Sequence, residues 1–523
     1  MSNQPNYRNR VIILILVLLL VKTIVSFSLN LGNDEVYYTL YAESLQINYF
    51  DHPPIVGWMI RFFTFNNHFN SEFFVRLGAL ISGSVSMWLI YLCGKKLNNE
   101  ITGYWAACIY SSTLYGSVIT GIFILPDSPQ MVCWIWSLYL LLQIVSDETF
   151  NRDSQIKLLL FGLSTGLGML CKIHTVFLWF GFIFFILIFR RKWFSKYALY
   201  ASALITFLLF TPIIYWEFEN NFITYQFHSN RVNNISKGFD IQTITVFLFG
   251  LIFYTGIFLF PAYIKSMFWT INKKVNLYNS KLMIILFCSL PLLLVSLAIS
   301  IFNTVLPHWP GPSFAGISLI TAMYFQRKET VREVVVFPKI LLLSLSFTTI
   351  VILSGTILIN FYPGTAGTKE KSKMGNGDFT LDMYGWEKIS KPLDSIFKSE
   401  LRLGLVKKDY CLISNKWFPA SHIDFYIAKP LQLKMFVFGN LNEIHQYYFI
   451  NKESRNINIG GDAYCIIPSN YQFNAKAEFS TMFKQVDSVT TIPQYRNGVI
   501  CREFLLLRCK DYQGKIVEKN NFK

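Results

Sequence analysis

The feature that most constrains this chain is a series of apolar runs, each near the length that crosses a bilayer. They fall at roughly 11–28, 73–93, 102–124, 130–146, 157–171, 174–189, 197–215, 243–264, 282–302, 311–325 and 340–360. A hydrocarbon core about 30 Å thick takes about 20 residues of helix to span. The 523 residues are 53% hydrophobic, 17% aromatic and only 15% charged, a balance that soluble domains rarely reach. The expected fold is a polytopic α-helical membrane protein with about eleven transmembrane helices. The first run, Val11 to Phe27, follows a basic stretch at 1–10 and has no small-x-small cleavage site after it. It reads as an uncleaved first helix rather than a signal peptide.

The net charge of +16 needs no nucleic acid to explain it. Lys and Arg collect in cytoplasmic loops of membrane proteins and set their orientation. With the N-terminus in the cytoplasm, Arg8, Arg10, Lys95, Lys96, Arg152, Lys157, Arg190, Arg191, Lys192, Lys273, Lys274, Arg327 and Lys328 fall inside. Only Arg61, Arg76, Lys172, Arg231 and Lys237 are left outside. An odd number of spans then puts everything after residue 360 outside as well. The expected division is a transmembrane module at 1–360 and an extracytoplasmic domain at 361–523.

That last part changes character. A Gly-, Lys- and Thr-rich linker at 361–378 precedes short apolar runs at 411–414, 423–427, 433–437, 463–468 and 499–507. Polar stretches such as 441–449 have room to be helical between them. This pattern suits a small soluble α/β domain with its own core. Nine Cys occur without a CxxC pair. Cys93, Cys108, Cys133, Cys171 and Cys288 read as packing residues in or beside helices. Cys411, Cys465, Cys501 and Cys509 lie where an oxidising compartment would let them pair, with Cys501 and Cys509 nearest in sequence.

The outer loops gather the unusual side chains. The first holds Asp34, Glu35, Glu43, Asp51 and His52; later ones hold Asp127, Lys172, His174, His228, Arg231 and His308. Five of the seven His lie in or beside these loops: His52, His68, His174, His228 and His308. Such a set suits sugar transfer from a lipid phosphate. Asp34 or Glu35 can act as base toward an acceptor hydroxyl. Arg231, Lys172 and Lys237 are candidates to hold the departing phosphate, where charge-assisted bonds are strongest. Asp51, His52 and His228 are a candidate divalent-metal set, although their spacing does not demand one. Blander readings stand beside these. Asp34 and Glu35 suit the first turn of a helix, Asp127 an N-cap, and His308-Trp309 an interfacial anchor. Lys22, inside the first span, is expected to snorkel.

The run Asp34-Glu35-Val36-Tyr37-Tyr38-Thr39-Leu40-Tyr41-Ala42, followed by Tyr49-Phe50-Asp51-His52-Pro53-Pro54, resembles the first extracytoplasmic loop of bacterial glycosyltransferase family 39. These proteins are relatives of protein O-mannosyltransferases and of aminoarabinose transferases. Further matching pieces are Pro126-Asp127-Ser128-Pro129, Gly166 to Lys172, Pro212 to Trp216, Phe227-His228 to Arg231, and His308-Trp309-Pro310. Tyr384-Gly385-Trp386 and Tyr495-Arg496-Asn497-Gly498 follow in the C-terminal part. The resemblance implies the C-type glycosyltransferase fold and an inverting transfer from a polyprenyl-phosphate sugar. It implies Asp34 as the base, Asp51 and His52 as a second acidic-basic pair, and Lys172, His228 and Arg231 near the donor phosphate; Tyr38, Asp127 and His308 are further candidate donor or substrate contacts. Relatives that modify lipid A commonly carry Lys where this chain has His52, which leaves donor and metal open.

The expected function is therefore an inverting glycosyltransferase of a bacterial inner membrane, acting on a lipid, glycan or protein hydroxyl outside the cytoplasm. The alternative is a transporter or flippase for lipid-linked sugars. That reading expects ionisable groups or broken helices near the bilayer midplane. Here the charged groups crowd one face and the runs read as unbroken.

Overall fold

The structure is a computed structural model. It describes residues 6–147, 149–232, 238, 240–272, 279–330, 336–454 and 457–514, the side chains of residues 231, 232, 329 and 330 excepted. The chain folds as two compact units. One is Met1–Ser26 with Leu45–Ile352, the other Phe27–Ser44 with Leu353–Lys523. The first loop therefore contributes to both: its Asn33–Glu43 helix belongs to the second unit, and Asp51 and His52 belong to the first.

The first unit is helical. Among the described residues, seven helices are long and apolar enough to cross a membrane: Tyr7–Ser28, Glu72–Leu97, Asp127–Ser146, Arg152–Cys171, Tyr197–Glu219, Ser280–Ser300 and Lys339–Phe361. The last of these runs on into the second unit. The pair Ile241–Thr255 and Phe260–Asn272, bent by 93° at its break, is a broken span, the eighth, or a re-entrant loop. Among the described residues the expected count of eleven crossings is not confirmed, and the expected unbroken helices include one bent pair. The reason is length. The 102–124 run divides into a helix at Glu100–Ser111 and a π-helical turn at Tyr115–Ile119. The 174–189 run supplies only 13 residues of α-helix, Phe177–Phe189. At about 1.5 Å per residue neither helix covers a 30 Å core unaided. Gly311–Thr330 has the length, but Gln326-Arg327-Lys328 occupies its end.

Helix starts follow sequence. Asn99 and Asn151 cap their helices by accepting from Thr102 N and Ser154 N. Small polar residues join the helices, as Ser137 to Ser164 (3.0 Å) and Trp179 Nε1 to Thr206 (3.1 Å). Lys22 does not snorkel; it is only 4% exposed inside its helix.

The second unit holds a five-stranded sheet: β1 Cys411–Ser414, β2 Met435–Val437, β3 Ala463–Pro468, β4 Phe483–Arg496 and β5 Val499–Tyr512, in the order β2-β1-β3-β5-β4. β1 lies parallel to β2 and β3, and β5 antiparallel to β3 and β4. One side of the sheet packs Ile413, Phe436, Cys465, Phe479, Phe483 and Cys509 into a core. The run at 423–427 is not a strand: a helix at Trp417–Ile423 continues as a π-helical turn at Asp424–Ala428. The nine cysteines are all free. Cys501 and Cys509 sit eight residues apart on one extended strand, about 26 Å at 3.3 Å per residue, far beyond disulfide reach. Helix Asn33–Glu43 packs on Trp417–Ile423. The Tyr37 ring lies 5.1 Å from Trp417, and the Tyr37 hydroxyl accepts from Gln446 N (3.2 Å).

Candidate active site

In the first unit, several separate stretches bring polar side chains together. Helix Arg152–Cys171 ends in extended backbone at Lys172, and a 3-10 turn at Ile173–Val176 follows. Lys172 donates from Nζ to Asp127 Oδ2 at 2.8 Å, and the Tyr115 hydroxyl donates to Asp127 Oδ1 at 3.2 Å. Both ion-pair partners are buried. Asp127 thus has a charge partner 45 residues away, beyond any cap role at the start of helix Asp127–Ser146. Gln130 Nε2 donates to Thr175, and Thr175 to the Lys172 carbonyl, which holds the turn. His174 packs on Trp309 (5.8 Å) and His308 on Tyr254 (6.1 Å).

Asp51 and His52 join the same unit through helix Ile223–Val232. His228 donates from Nε2 to the Asp51 main-chain carbonyl at 2.8 Å, and its ring lies 5.9 Å from that of His52. Phe50 packs on Phe227 (5.0 Å), and Thr224 donates to the Tyr49 carbonyl. Glu217, which sequence left without a role, is buried and accepts from Asn48 Nδ2 at 3.0 Å. The Arg231 side chain and Lys237 lie outside the described residues.

Electrostatics tie these groups together. Burial pushes His52 down to about 4; Asp51 opposes this, and His228 and Lys172 reinforce it. Burial also holds His308 down to about 4, with Asp127 opposing and Lys172 adding to the effect. Both imidazoles are neutral at pH 7, able to donate a hydrogen bond and carrying no net charge. Among the described residues the Lys172 ammonium gives one of its three donors, to Asp127, which leaves two for an incoming oxyanion.

The expected metal set does not form. Among the described residues no three His, Cys, Asp or Glu groups converge as ligands would. His228 directs Nε2 at the Asp51 main-chain carbonyl, not at a point shared with the Asp51 carboxylate and His52. Carboxylate–imidazole chemistry suits a divalent ion, but this geometry does not gather it.

In the second unit the first-loop helix presents its acids differently. Asp34 lies in the first turn, less buried than its neighbour Glu35. Glu35 is buried and its Oε2 accepts from Gly32 N at 2.8 Å, which ties down the start of the helix. Tyr38 is buried against Tyr37 (5.6 Å) and Tyr41 (5.4 Å). Asn33, just before Asp34, is gripped from both sides. Its Nδ2 donates to Asp382 Oδ2 and its Oδ1 accepts from His422 Nε2, both at 3.0 Å. Asp382 also accepts from the Tyr471 hydroxyl, and His422 stacks on Trp386 at 4.3 Å. No local pattern signals this grip, because its members lie more than 340 residues apart. The first-loop helix ends in an ion pair between Glu43 and Lys429.

The fold is thus a multi-helix membrane unit and a small α/β unit. Two solved structures of ArnT from Cupriavidus metallidurans share it. The apo form is 11% identical and covers 96% of this chain and 98% of its own, with a TM-score of 0.60. The form bound to undecaprenyl phosphate is 12% identical, covers 95% and 97%, and has a TM-score of 0.61. Residues 51–216 match the family described as dolichyl-phosphate-mannose-protein mannosyltransferase. The chain is also similar to the lipid A galacturonosyltransferase RgtD of Rhizobium johnstonii, 22% identical over 247 residues, 46% of this chain and 49% of that protein. The chain thus spans about half the length of this curated relative.

Proposed function

We propose that the chain is an inverting membrane glycosyltransferase that moves a sugar from a polyprenyl-phosphate donor to a hydroxyl group. The observation that carries this reading is the buried Lys172–Asp127 pair beside neutral His52 and His308, a donor set suited to a phosphate oxyanion. Asp34 is the base. Its carboxylate takes the proton as the acceptor oxygen attacks the anomeric carbon from the face opposite the phosphate. The carbon–oxygen bond to phosphate breaks, and the polyprenyl phosphate leaves with one more negative charge. Lys172 and Arg231 meet that added charge, with His52, His228 and His308 as hydrogen-bond donors. Asp51 orients His228 through its main-chain carbonyl. Glu35 holds the helix start and leaves Asp34 to the chemistry.

The site faces the side away from the cytoplasm, as the Lys and Arg bias directs. An ArnT relative holds undecaprenyl phosphate, and RgtD is named for transfer of galacturonic acid to lipid A. These make undecaprenyl-phosphate sugars and lipid A the first donor and acceptor to try. Nothing favours transport: the helix break, Gly256-Ile257-Phe258-Leu259, holds no ionisable side chain.

Envelope glycolipids and glycoproteins from a deletion strain, analysed by mass spectrometry, test the reading. Complementation with the native chain is expected to restore one sugar modification. Complementation with Asp34→Asn, at equal membrane abundance, is expected to leave it absent. Restoration by Asp34→Asn would remove Asp34 from the chemistry.

A further inference from the structure

The last membrane helix, Lys339–Phe361, ends against the turn of the β4–β5 hairpin. Asn497 and Gly498 make that turn with φ of 48° and 78°, the left-handed pair of a tight hairpin. Asn497 Nδ2 donates to the Phe361 carbonyl at 3.1 Å, and Arg496 Nη1 to the Ile359 carbonyl at 3.2 Å. These satisfy carbonyls that the helix leaves open at its C-terminal end, where a cation also complements the dipole. Arg496 Nε donates to the Gly364 carbonyl (2.8 Å), and Gly364 N donates to the Arg496 carbonyl (3.0 Å). The guanidinium pairs with Asp378 at 2.9 Å, and both side chains of the pair are buried.

Around that buried core stands an outward ring of apolar side chains. Phe361 is 65% exposed, Phe379 75%, Tyr495 53% and Val499 51%, with Tyr362 also open. The 368–376 loop beside them carries exposed Lys369, Lys371 and Lys373 against one acid, Glu370. Large apolar side chains clustered this way mark a surface made for a partner. The helix that leads into them identifies the partner. A span of mean hydropathy 2.2 that is mostly open on its flanks must stand in lipid, and it ends at Phe361. The hairpin turn, bonded to Phe361, is then held at the level where acyl chains meet headgroups. Aromatic rings favour that level, and lysines beside it favour anionic headgroups.

We propose that the β4–β5 turn, with Phe361, Tyr362 and Phe379, is an interfacial anchor seated in the lipid headgroup layer, with anionic phospholipid as its partner. The inference is independent of any reading of the chemistry.

The full chain in nanodiscs of phosphatidylcholine and phosphatidylglycerol tests it. The native cysteines are buried apart from half-buried Cys133, so Val499→Cys and Phe379→Cys take a fluorescent maleimide selectively, with the unsubstituted chain as background. Lys484→Cys is the control. It lies near the far end of the same strand, 12 residues from Arg496, or about 40 Å. Emission at 499 and 379 is expected to fall when nanodisc lipids carry a nitroxide high on the acyl chain. Emission at 484 is expected to fall only with aqueous iodide. Quenching of 499 and 379 by iodide and not by nitroxide lipid would put the turn in water and overturn the proposal. Shielding from both quenchers would mean a protein covers it, and overturns it equally. Two labelled positions keep a single disturbed variant from deciding the result.

Discussion

Lys172 shows what sequence gives of a residue and what it withholds. It reads there as a candidate to hold phosphate, with no sign of its partner. The structure buries it 2.8 Å from Asp127. A buried pair of this kind costs desolvation that its attraction only roughly offsets, and removing one partner strands the other. Lys172→Met is therefore expected to destabilise the first unit by about 3–5 kcal/mol. Adding Asp127→Asn is expected to restore most of that, since the amide oxygen of the new side chain still accepts from Tyr115. Thermal unfolding of the full chain measures the restoration. Sugar transfer is expected to stay lost in the double variant, because the cation proposed for the phosphate is gone. Recovery of both would make the pair purely structural. The neighbouring imidazoles add a pH dependence. His52 and His308 titrate near 4 when folded, against about 6.5 when unfolded. Between those values the unfolded chain binds more protons, so stability rises with pH there. Their contribution is complete above about pH 6.5 and is lost as pH falls toward about 4, up to about 3 kcal/mol each. Unfolding midpoints across that window are expected to fall with pH in the native chain. They are expected to fall less in a His52→Gln/His308→Gln variant.

At the scale of elements, legibility followed periodicity and punctuation. The long spans were readable because few charges interrupt them. The short helices at Glu100–Ser111 and Phe177–Phe189 misled because apolarity does not report where helical geometry stops. Strands β1, β2, β3 and β5 stood out as apolar runs. β4 did not: Lys484, Gln485, Asp487, Thr490, Thr491 and Gln494 dilute it, because much of one face is open to solvent. The Asn497-Gly498 pair was the signal for that strand, since it marks a hairpin whose second arm was already visible. The turn also sets a graded prediction. Gly498 has φ +78° with open space where a Cβ would go, so Gly498→Ala is expected to cost only backbone strain, about 1 kcal/mol. Gly364 has φ +70° and a Cβ there would lie 2.9 Å from Val499, so Gly364→Ala is expected to cost more. Denaturant midpoints of the two variants check the order; equal losses would mean Val499 yields freely.

The whole molecule is divided in a way sequence order conceals. A boundary at residue 360 follows composition. The compact units instead assign Phe27–Ser44 to the later half of the chain, so the loop carrying Asp34 folds with residues more than 340 positions away. Contacts at that sequence distance leave no local pattern, which is why the acids of the first loop were legible and their support was not. Asn33 depends on Asp382 and His422, Tyr37 on Trp417 and Gln446, Leu31 N on the Tyr426 hydroxyl, and Glu43 on Lys429. Buried Val36, Tyr37, Leu40 and Tyr41 need those neighbours, since an 11-residue helix is marginal alone in water. A chain truncated after residue 360 is therefore expected to insert its membrane helices while residues 29–44 become open to protease. Transfer is expected to be lost although every proposed donor contact is still present. Limited proteolysis with mass spectrometry of the 29–44 peptides, beside the transfer assay, measures both effects. Protection and transfer that survive truncation would show that the first-loop helix stands without the later domain.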